Sequence, residues 1–584
     1  MAQTISIGAQ SFEFIREKNC FLVDKTGLIR EWWENADAVT LITRPRRFGK
    51  TLNLDMLNCF FSTKYEGRGD LFEGLSVWKD EAYHKLQGSY PVISLSFANI
   101  KDTSFTEVKK GLCQIIRMLY NEYDFLLDSG ILNEDEKQQY QSISVDMEEY
   151  LAVSALNRLS NYLMRYYGRK VIILLDEYDT PMQEAYVHGF WEELVRFFRK
   201  LFHAAFKTNP YLERAMLTGI TRVSKESIFS DLNNLEVVTS TSEKYADCFG
   251  FTEEEVFGAL DEFGMGDKKE EVKQWYDGFC FGSQRDIYNP WSITNCLDKR
   301  KIGIYWALED YHLRVAGSRQ MPASSHLARC SRENTSSNSL VSKLIREGNA
   351  ELKMDMEALL DKAIIETAID EEIVFNQLDD NDTAIWSLLL ASGYLKVEYA
   401  PEYGVGGIYG LSLTNYEVER MFRRMIQDWF GKSAAKYNDF VKALFLNDLR
   451  YMNRFMNQMT GAVFSYFDTG KQPSEQEPER FYHGFVLGLI ADSKIDYVIT
   501  SNRESGFGRY DVVMEPRDKT KDAYVFEFKV YDPDQEKTLE DTVESAKAQI
   551  EEKAYDAALM ARGIPGERIR HYGFAFAGKQ VLIG

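Results

Sequence analysis

One stretch of the sequence, LITRPRRFGKTLNLDML at residues 41–57, has the residue types of a phosphate-binding loop. In loops of the form G-x-x-x-x-G-K-[ST], backbone amides hold phosphate oxygens, the lysine reaches the outer phosphates and the hydroxyl binds Mg²⁺. A strand-like run precedes the loop and a helix-like run follows it, so the sequence predicts ATP and Mg²⁺ as ligands, with Thr51 on the metal. The candidate nucleotide-binding residues here are Arg47, Phe48, Gly49, Lys50 and Thr51.

Arg44 stands where this kind of loop usually begins with a glycine. A glycine lets the backbone turn tightly, whereas Pro45 restricts Arg44 toward an extended conformation. We therefore expect the chain to lead into this loop in a different way from the usual one.

A second stretch, VIILLDEYDTP at residues 171–181, is an apolar run that ends in two carboxylates. ATPases place an Asp on Mg²⁺ and a Glu against the attacking water at such a position. We therefore assign Asp176 to metal and nucleotide binding and Glu177 to catalysis. The alternative is a solvated basic loop and a strand that merely ends in acids; two half-motifs in the right order favour the ATPase interpretation.

The stretch RAMLTGITRVSK at residues 214–225 supplies a further strand with polar residues at its end. Thr218 and Arg222 are candidates to sense or neutralise the γ-phosphate. For Arg222, an ordinary surface salt bridge explains the residue almost equally well.

Near the C-terminus, GFGRYDVVM (506–514) and YVFEFKV (524–530) read as neighbouring strands. Alternation along a strand places Glu527 and Lys529 on one face and Phe528 on the other. With Asp511, these residues could hold one or two Mg²⁺ ions that activate water against a phosphodiester. A solvated, salt-bridged strand pair is the alternative, but charges in an apolar strand are costly unless they pair or bind something.

Composition limits the classes of protein that these motifs can belong to. The chain has 584 residues and a net charge of −21, so several domains are expected and any nucleic-acid contact must come from local basic patches. Seven scattered cysteines without a C-x-x-C spacing argue against a disulfide framework and a zinc site. The sequence has neither a signal-like N-terminus nor a long apolar run, so we expect a cytoplasmic protein with no membrane contact.

The first part of the chain alternates short apolar runs with longer helix-like segments, a rhythm typical of a parallel α/β sheet. Residues 251–264 begin a more helical region with a capping box, and a polar insertion follows near 307–333. Residues 384–430 have the order helix, strand, Gly-rich turn, strand, helix, which suits a winged-helix-like module with the turn near 401–407 as its wing. The predicted strands of the first part are 38–43, 91–97, 171–175, 215–221 and 236–240.

Linked motifs along nearly the whole chain resemble the bacterial AAA-ATPase-like family that carries a C-terminal PD-(D/E)XK nuclease domain. In that family the loop reads R-P-R-R-F-G-K-[ST], so the resemblance makes Arg44 its normal form. The motifs are FLVDKTGLI (21–29), RPRRFGKTLNLDML (44–57), VIILLDEYDTP (171–181), LTGITRVSKESIFSDLNNL (217–235), WYDGFCFG (275–282), IYNPWSI (287–293) and the C-terminal strands.

The resemblance implies that Lys50, Thr51, Asp176 and Glu177 bind and hydrolyse ATP. It also points to the helices that flank the C-terminal strands, where such nucleases often add a metal-binding Glu and a phosphate-contacting polar group. The residues at these places are Glu479, His483, Gln549 and Tyr555, each of which could instead satisfy a core hydrogen bond. The polar stretch between Trp306 and Asn334 departs from the family pattern.

We therefore predict an α/β fold: an N-terminal P-loop parallel α/β ATPase domain, a helical and winged-helix-like middle region, and a C-terminal PD-(D/E)XK nuclease α/β domain. The predicted catalytic residues of the nuclease domain are Asp511, Glu527, Lys529 and Glu479, and Asp511 and Glu527 also hold the metal. The predicted domains are 1–245 (AAA-ATPase-like), 246–375 (helical lid), 376–455 (winged-helix-like) and 456–584 (nuclease-like).

The predicted function is an ATP hydrolase whose Mg²⁺-dependent nuclease domain acts on DNA rather than RNA and is gated by the nucleotide. A defence or mobile-element role is a guess by association, and homo-oligomerisation is left open. One alternative is a regulatory ATPase that binds partners or nucleic acid and whose nuclease-like domain is inactive. Another is a phosphotransferase that uses the same loop.

Overall fold

A computed structural model provides the structure of the chain and divides it into two units. The first unit contains residues 1–344 and 364–419, and the second contains residues 345–363 and 420–584. The four domain boundaries that the sequence suggests stay predictions. The described residues are 3–221, 228–229, 232–306, 341, 344–345, 350–360, 362–369, 382–399, 407–429, 434–463, 486, 490, 497–505, 508–533, 535–553, 555–577 and 580–584.

The first unit is built on a five-stranded sheet in the order β2-β3-β4-β1-β5, in which every neighbouring pair is parallel. This confirms the predicted parallel α/β fold. The strands are β1 (Val39–Thr43), β2 (Val92–Ser96), β3 (Val171–Asp176), β4 (Leu212–Gly219) and β5 (Leu235–Val238).

Strands β1 and β3 are buried along their whole length, as expected for a parallel sheet covered by helices. The helices Lys50–Phe61, Phe105–Glu122 and Glu149–Tyr167 pack against its strands, and several helices begin at a side-chain cap, such as Ser104 before the fifth helix. The helices of this part of the chain are α1 (Phe12–Glu17), α2 (Gly27–Asn35), α3 (Lys50–Phe61), α4 (Glu81–His84), α5 (Phe105–Glu122), α6 (Glu134–Gln141), α7 (Glu149–Tyr167), α8 (Thr180–His188) and α9 (Trp191–Phe202).

After β5, the chain forms a small antiparallel sheet with helices packed around it. Thr252 and Glu255 form the predicted capping box at the start of α10. The sheet has the order β6-β8-β7. Its elements are β6 (Phe251–Thr252), α10 (Glu253–Glu262), α11 (Lys269–Tyr276), β7 (Phe279–Phe281), β8 (Gln284–Tyr288) and α12 (Pro290–Lys299).

The winged-helix-like stretch has the predicted order of helix, strand, strand and helix, with β9 (Ile365–Ala368) as an added strand. The sheet order is β10-β11-β9. The turn proposed near 401–407 lies almost entirely outside the described residues, as does the polar insertion near 307–333. The elements are α14 (Asp382–Ala391), β10 (Leu395–Tyr399), β11 (Ile408–Leu413) and α15 (Tyr416–Trp429).

The second unit contains a five-stranded mixed sheet in the order β12-β13-β14-β15-β16, in which only β14 and β15 pair in parallel. Its strands are β12 (Tyr497–Ser505), β13 (Gly508–Pro516), β14 (Ala523–Val530), β15 (Ile569–Ala577) and β16 (Gln580–Ile583). Its helices are α13 (Ala350–Leu360), α16 (Ala434–Phe445), α17 (Leu449–Val463), α18 (Leu539–Glu552) and α19 (Asp556–Ala561), while α15 runs into this unit from the first.

None of the helices in the described part of the chain has the length and apolar content that a bilayer crossing requires.

Gly278, in the WYDGFCFG motif, allows close packing of two backbones within the first unit. Its φ is +133°, and a Cβ added there would lie 1.9 Å from the carbonyl oxygen of Thr414. Asn415 Nδ2 donates to the carbonyl of Tyr276 at 3.1 Å beside this contact. The motif therefore fixes the residues that lead into α15.

Replacing Gly278 with alanine is expected to destabilise the protein, because the new Cβ collides with backbone and the φ angle is rarely adopted by L side chains. We expect a loss of about 2–4 kcal/mol in the free energy of unfolding. Urea unfolding followed by tryptophan fluorescence measures it. The matched control is Gly258→Ala in α10, where an added Cβ meets nothing within 4 Å; equal midpoints for the two variants would contradict the expectation.

Candidate functional site

The carboxyl ends of β1, β3 and β4 bring together the polar residues of three separate motifs. Thr51 Oγ1 donates to Asp176 Oδ2 at 2.7 Å, and Thr218 Oγ1 donates to Asp176 Oδ1 at 2.6 Å. Burial raises the pKa of Asp176, while the two hydroxyl hydrogen bonds oppose this change. The parallel order of the strands explains the meeting, since their carboxyl ends share one edge.

Lys50 is buried at the first turn of α3, and its ammonium group donates within the loop. Nζ lies 2.9 Å from the carbonyl oxygen of Arg44 and 2.8 Å from that of Pro45. Burial lowers the pKa of Lys50, whereas the carboxylates of Glu177 and Asp176 raise it. The lysine thus lies beside the two acids that the sequence assigned to ATP hydrolysis.

Arg44 is fully buried and ties the beginning of the loop to the sheet. Its backbone N–H donates to the carbonyl of Gly219 at 3.1 Å, which continues the parallel pairing of β1 with β4. Its Nη1 donates to the carbonyls of Thr43 at 2.9 Å and Thr239 at 2.7 Å, and the guanidinium lies 4.4 Å from the ring centre of Phe281. Burial lowers the pKa of Arg44 to about 10. The arginine therefore anchors this loop through its side chain.

The rest of the loop turns through left-handed backbone positions. Arg47 has a φ of 65° and Gly49 a φ of 80°, so the turn that a first glycine usually allows is made later in the loop. Phe48 is buried, with its ring centre 4.7 Å from that of Phe279. The guanidinium of Arg47 lies 4.1 Å from the ring centre of Trp291.

A cavity of about 410 Å³ opens beside this loop and is large enough for a nucleotide. Its walls come from the loop, from the N-terminal segment and from the start of α12. The lining residues include Gln10, Phe21, Lys50, Thr51, Glu177 and Trp291.

Glu177 lies at the wall of this cavity with a φ of 50°, a backbone conformation that is uncommon for a residue with a Cβ. Thr180 Oγ1 donates to Glu177 Oε2 at 3.1 Å. A strained backbone of this kind persists only where surrounding contacts hold the residue in place, and such positions are concentrated at functional sites.

Asp179 is a buried residue of this site that the sequence interpretation missed. Its Oδ2 accepts hydrogen bonds from the N–H groups of Ile220 and Thr221, both at 2.9 Å. These bonds engage the amides directly after β4, which explains why this strand ends at Gly219 and not at residue 221 as predicted. The second aspartate of the DEYD sequence (176–179) was the signal that could have pointed to it. Arg222, the predicted phosphate sensor, lies outside the described residues.

In the second unit, Glu527 and Lys529 both face α18. Glu527 is buried and accepts a hydrogen bond from Gln549 Nε2, and Lys529 Nζ donates to Ser545 Oγ at 3.1 Å. Phe528, between them, packs on the opposite side of the sheet in the core formed with α16 and α17. The sequence identified Gln549 but missed Ser545, which no spacing pattern singles out.

Asp511 is described only by its backbone, within β13. The antiparallel pair Val512 and Phe526 adjoins Asp511 and Glu527, so continuing this register places the two acids at opposing positions. Their predicted convergence on a metal stays a prediction. Glu479 and His483 lie outside the described residues, and Tyr555 is buried in the core with Ile550.

A further group of possible metal ligands lies in the first unit, where oxygen and sulfur atoms of Glu31, Asp247 and Cys248 are within 4.8 Å of one another. Glu31 accepts hydrogen bonds from the Tyr245 N–H at 2.8 Å and from the Cys248 thiol at 3.4 Å. Burial and the Glu31 charge raise the pKa of Cys248 well above its usual value. This group is therefore a hydrogen-bonded structural cluster.

Comparisons with known proteins match both units. A family described as a predicted AAA-ATPase matches residues 6–229, and the PD-(D/E)XK nuclease superfamily matches residues 477–584. An uncharacterized protein in the vnfD 5′ region of Azotobacter chroococcum mcd 1 is 29% identical over 309 residues, or 52% of this chain and 53% of the relative. The match thus spans about half the length of that relative.

Replacing Arg44 with glycine would recreate the usual first residue of the loop, yet it is expected to weaken ATP binding. The change removes hydrogen bonds from a buried guanidinium to backbone carbonyls, at a cost of about 3 kcal/mol or more in the free energy of unfolding. Thermal unfolding and titration with a fluorescent ATP analogue measure the two effects. Arg44→Lys keeps the charge but has fewer N–H donors than the planar guanidinium, so it should lose less stability and less ATP affinity than Arg44→Gly. Wild-type ATP affinity in Arg44→Gly would contradict the anchoring role.

Proposed function

Because residues 6–229 form a predicted AAA-ATPase domain and residues 477–584 belong to the PD-(D/E)XK nuclease superfamily, we propose that this chain hydrolyses ATP and cleaves DNA under the control of the bound nucleotide. The observation that carries the proposal is the meeting of Thr51, Thr218 and Asp176 beside the buried Lys50. These groups come from the first turn of α3 and from the ends of β3 and β4, and they are of the types that bind a nucleoside triphosphate and its metal ion.

The residues of this edge fit Mg²⁺ because a hydroxyl and a carboxylate are oxygen ligands of the kind that this ion prefers. We assign Thr51 and Asp176 to hold it. Bound there, Mg²⁺ would neutralise charge on the outer phosphates.

In the proposed reaction, Lys50 exchanges its two carbonyl partners in the loop for phosphate oxygens of ATP. Glu177 orients the attacking water and accepts its proton, aided by the hydrogen bond from Thr180 that limits its rotation. Thr218 keeps Asp176 in position through its hydroxyl. Arg222 is a candidate for the γ-phosphate, as the sequence suggested.

For the nuclease reaction, we assign Glu527 and Asp511 to the metal and Lys529 to the attacked phosphate. The fit rests on Glu527, a buried acid in an otherwise apolar strand, which is held by Gln549 in the orientation observed. Bound Mg²⁺ would lower the pKa of the attacking water. Ser545 limits the rotation of the Lys529 side chain, which offsets charge that develops on the phosphate. DNA is the proposed substrate, and a role in defence or mobile-element biology is a hypothesis by association.

Lys50→Ala is expected to lower ATP hydrolysis on the order of a hundredfold or more, because the charge beside the phosphates is lost. Phosphate release from ATP by the purified full-length chain measures the effect. Lys79→Ala, an exposed lysine in the same unit, is the control and should keep wild-type activity. An unchanged rate in Lys50→Ala would remove the ATPase assignment from this loop.

Glu527→Gln is expected to lower the rate of Mg²⁺-dependent cleavage of plasmid and single-stranded DNA by roughly a thousandfold, because a metal ligand worth several kcal/mol is lost. ATP hydrolysis should continue at the wild-type rate, since Glu527 belongs to the second unit. Cleavage is assayed with ATP, with ADP and without nucleotide, and the exposed Glu551→Gln is the matched control. If the wild type cuts no DNA under any of these conditions, the regulatory ATPase with an inactive nuclease domain is the better description.

A further inference from the structure

A hydrogen bond from Asn289 attaches the first turn of α12 to the phosphate loop. Asn289 caps this helix, accepting from the N–H of Trp291 at 2.9 Å and of Ser292 at 3.3 Å. The same side chain donates through Nδ2 to the carbonyl oxygen of Arg46 at 3.3 Å. A displacement of the loop backbone therefore acts directly on the start of this helix.

Trp291 places an aromatic ring in the wall of the nucleotide cavity, together with Lys50 and Thr51. The guanidinium of Arg47 lies over this ring at 4.1 Å. A guanidinium can stack its face on an indole while its edge donates to phosphate oxygens. The stacked pair is thus suitably placed to respond to the number of phosphates on the nucleotide.

Behind this turn, a buried carboxylate collects three hydrogen bonds. Glu417 Oε2 accepts from Ser292 Oγ at 2.7 Å, and Oε1 accepts from the N–H of Tyr305 at 2.5 Å and of Trp306 at 2.7 Å. Only 1% of Glu417 is exposed, so loss of any of these bonds would be costly. The carboxylate therefore fixes the position of α12 against the first turn of α15.

Helix α15 connects residues of the two units through one continuous backbone. Its first residues, 416–419, belong to the first unit, and the helix continues from residue 420 in the second. The ring centre of Tyr416 lies 4.8 Å from that of Trp275, in an edge-on arrangement. The motifs WYDGFCFG and IYNPWSI thus both contact the N-terminus of this helix, through Trp275 and Ser292.

We propose that Trp291 is a nucleotide-contacting residue and that Glu417 is the positioning residue through which the bound nucleotide acts on α15. This inference rests on the proposed function, because it requires ATP at the phosphate loop. A ligand shifts a conformation only by as much as it binds two states differently. ATP offers Arg47 one phosphate more than ADP does, so the two nucleotides bind the Arg47–Trp291 pair differently. The hydrogen bond from Ser292 transmits the resulting displacement of α12 to Glu417.

Hydrogen exchange of the full-length chain, without nucleotide, with ADP and with ATP, tests the proposal on amides 291–299 and 416–423. In the wild type, ATP is expected to change exchange at both segments relative to ADP, by about fivefold or more. In Glu417→Gln, the change should persist at 291–299 and disappear at 416–423. ATP hydrolysis should remain within about threefold of wild type, because this residue lies outside the nucleotide cavity.

The matched control is Glu254→Gln, an exposed acid on α10, which should respond as the wild type does. Ser292→Ala removes one donor to Glu417 and gives a second test if Glu417→Gln does not fold, with the same loss expected at 416–423. Trp291→Phe should reduce the ratio of ATP to ADP affinity. A wild-type response at 416–423 in both Glu417→Gln and Ser292→Ala overturns this relay, which runs from the bound nucleotide through Trp291 and Glu417 to α15.

The outcomes separate this inference from the proposed function. If the wild type binds and hydrolyses ATP but exchange at 416–423 does not change, the relay is wrong and the ATPase stands. If the wild type binds no ATP, the ATPase and the relay are both wrong. DNA cleavage is not needed for either result.

Discussion

The first unit depends on the contacts that the buried guanidinium of Arg44 makes with backbone carbonyls and with an aromatic ring. This guanidinium holds the phosphate loop against the end of β5 by donating to Thr239 and lies against Phe281 of the small antiparallel sheet. Hydrogen bonds to carbonyl oxygens offset the cost of burying this charge, so the loop, β5 and the later hairpin must be arranged together. The same geometry leaves Lys50 and Thr51 facing Asp176.

That arrangement also gives the middle of the chain a structural role at the edge of the sheet where ATP is proposed to bind. Phe48 packs against Phe279, Asn289 holds the carbonyl of Arg46, and Trp291 lines the cavity. The residues after β5 are therefore part of the wall around the loop and bring aromatic and amide groups that the parallel sheet does not supply. Glu417 extends this set of buried polar contacts to the start of α15.

The second unit also buries charged side chains, and it does so by covering them with a helix. Strand β14 has apolar residues on both faces, and α18 covers the face that bears Glu527 and Lys529. Gly573 on the neighbouring strand allows this close approach, since a Cβ there would lie 2.7 Å from the carbonyl oxygen of Val543. A helix so near the sheet keeps Glu527 buried and hydrogen-bonded, as a carboxylate in an apolar strand requires.

The sequence alone determined the fold class, the strands of the parallel sheet and the chemical types at the carboxyl edge, because burial of both sheet faces and the loop pattern are local signals. It also determined that Glu527 and Lys529 share a face, since alternation along a strand depends only on spacing. The roles of Arg44, Asp179, Ser545 and Glu417 were decided by the tertiary structure. Each makes a hydrogen bond with at least one residue that is distant in the chain, and no spacing rule states which buried donor will meet which acceptor.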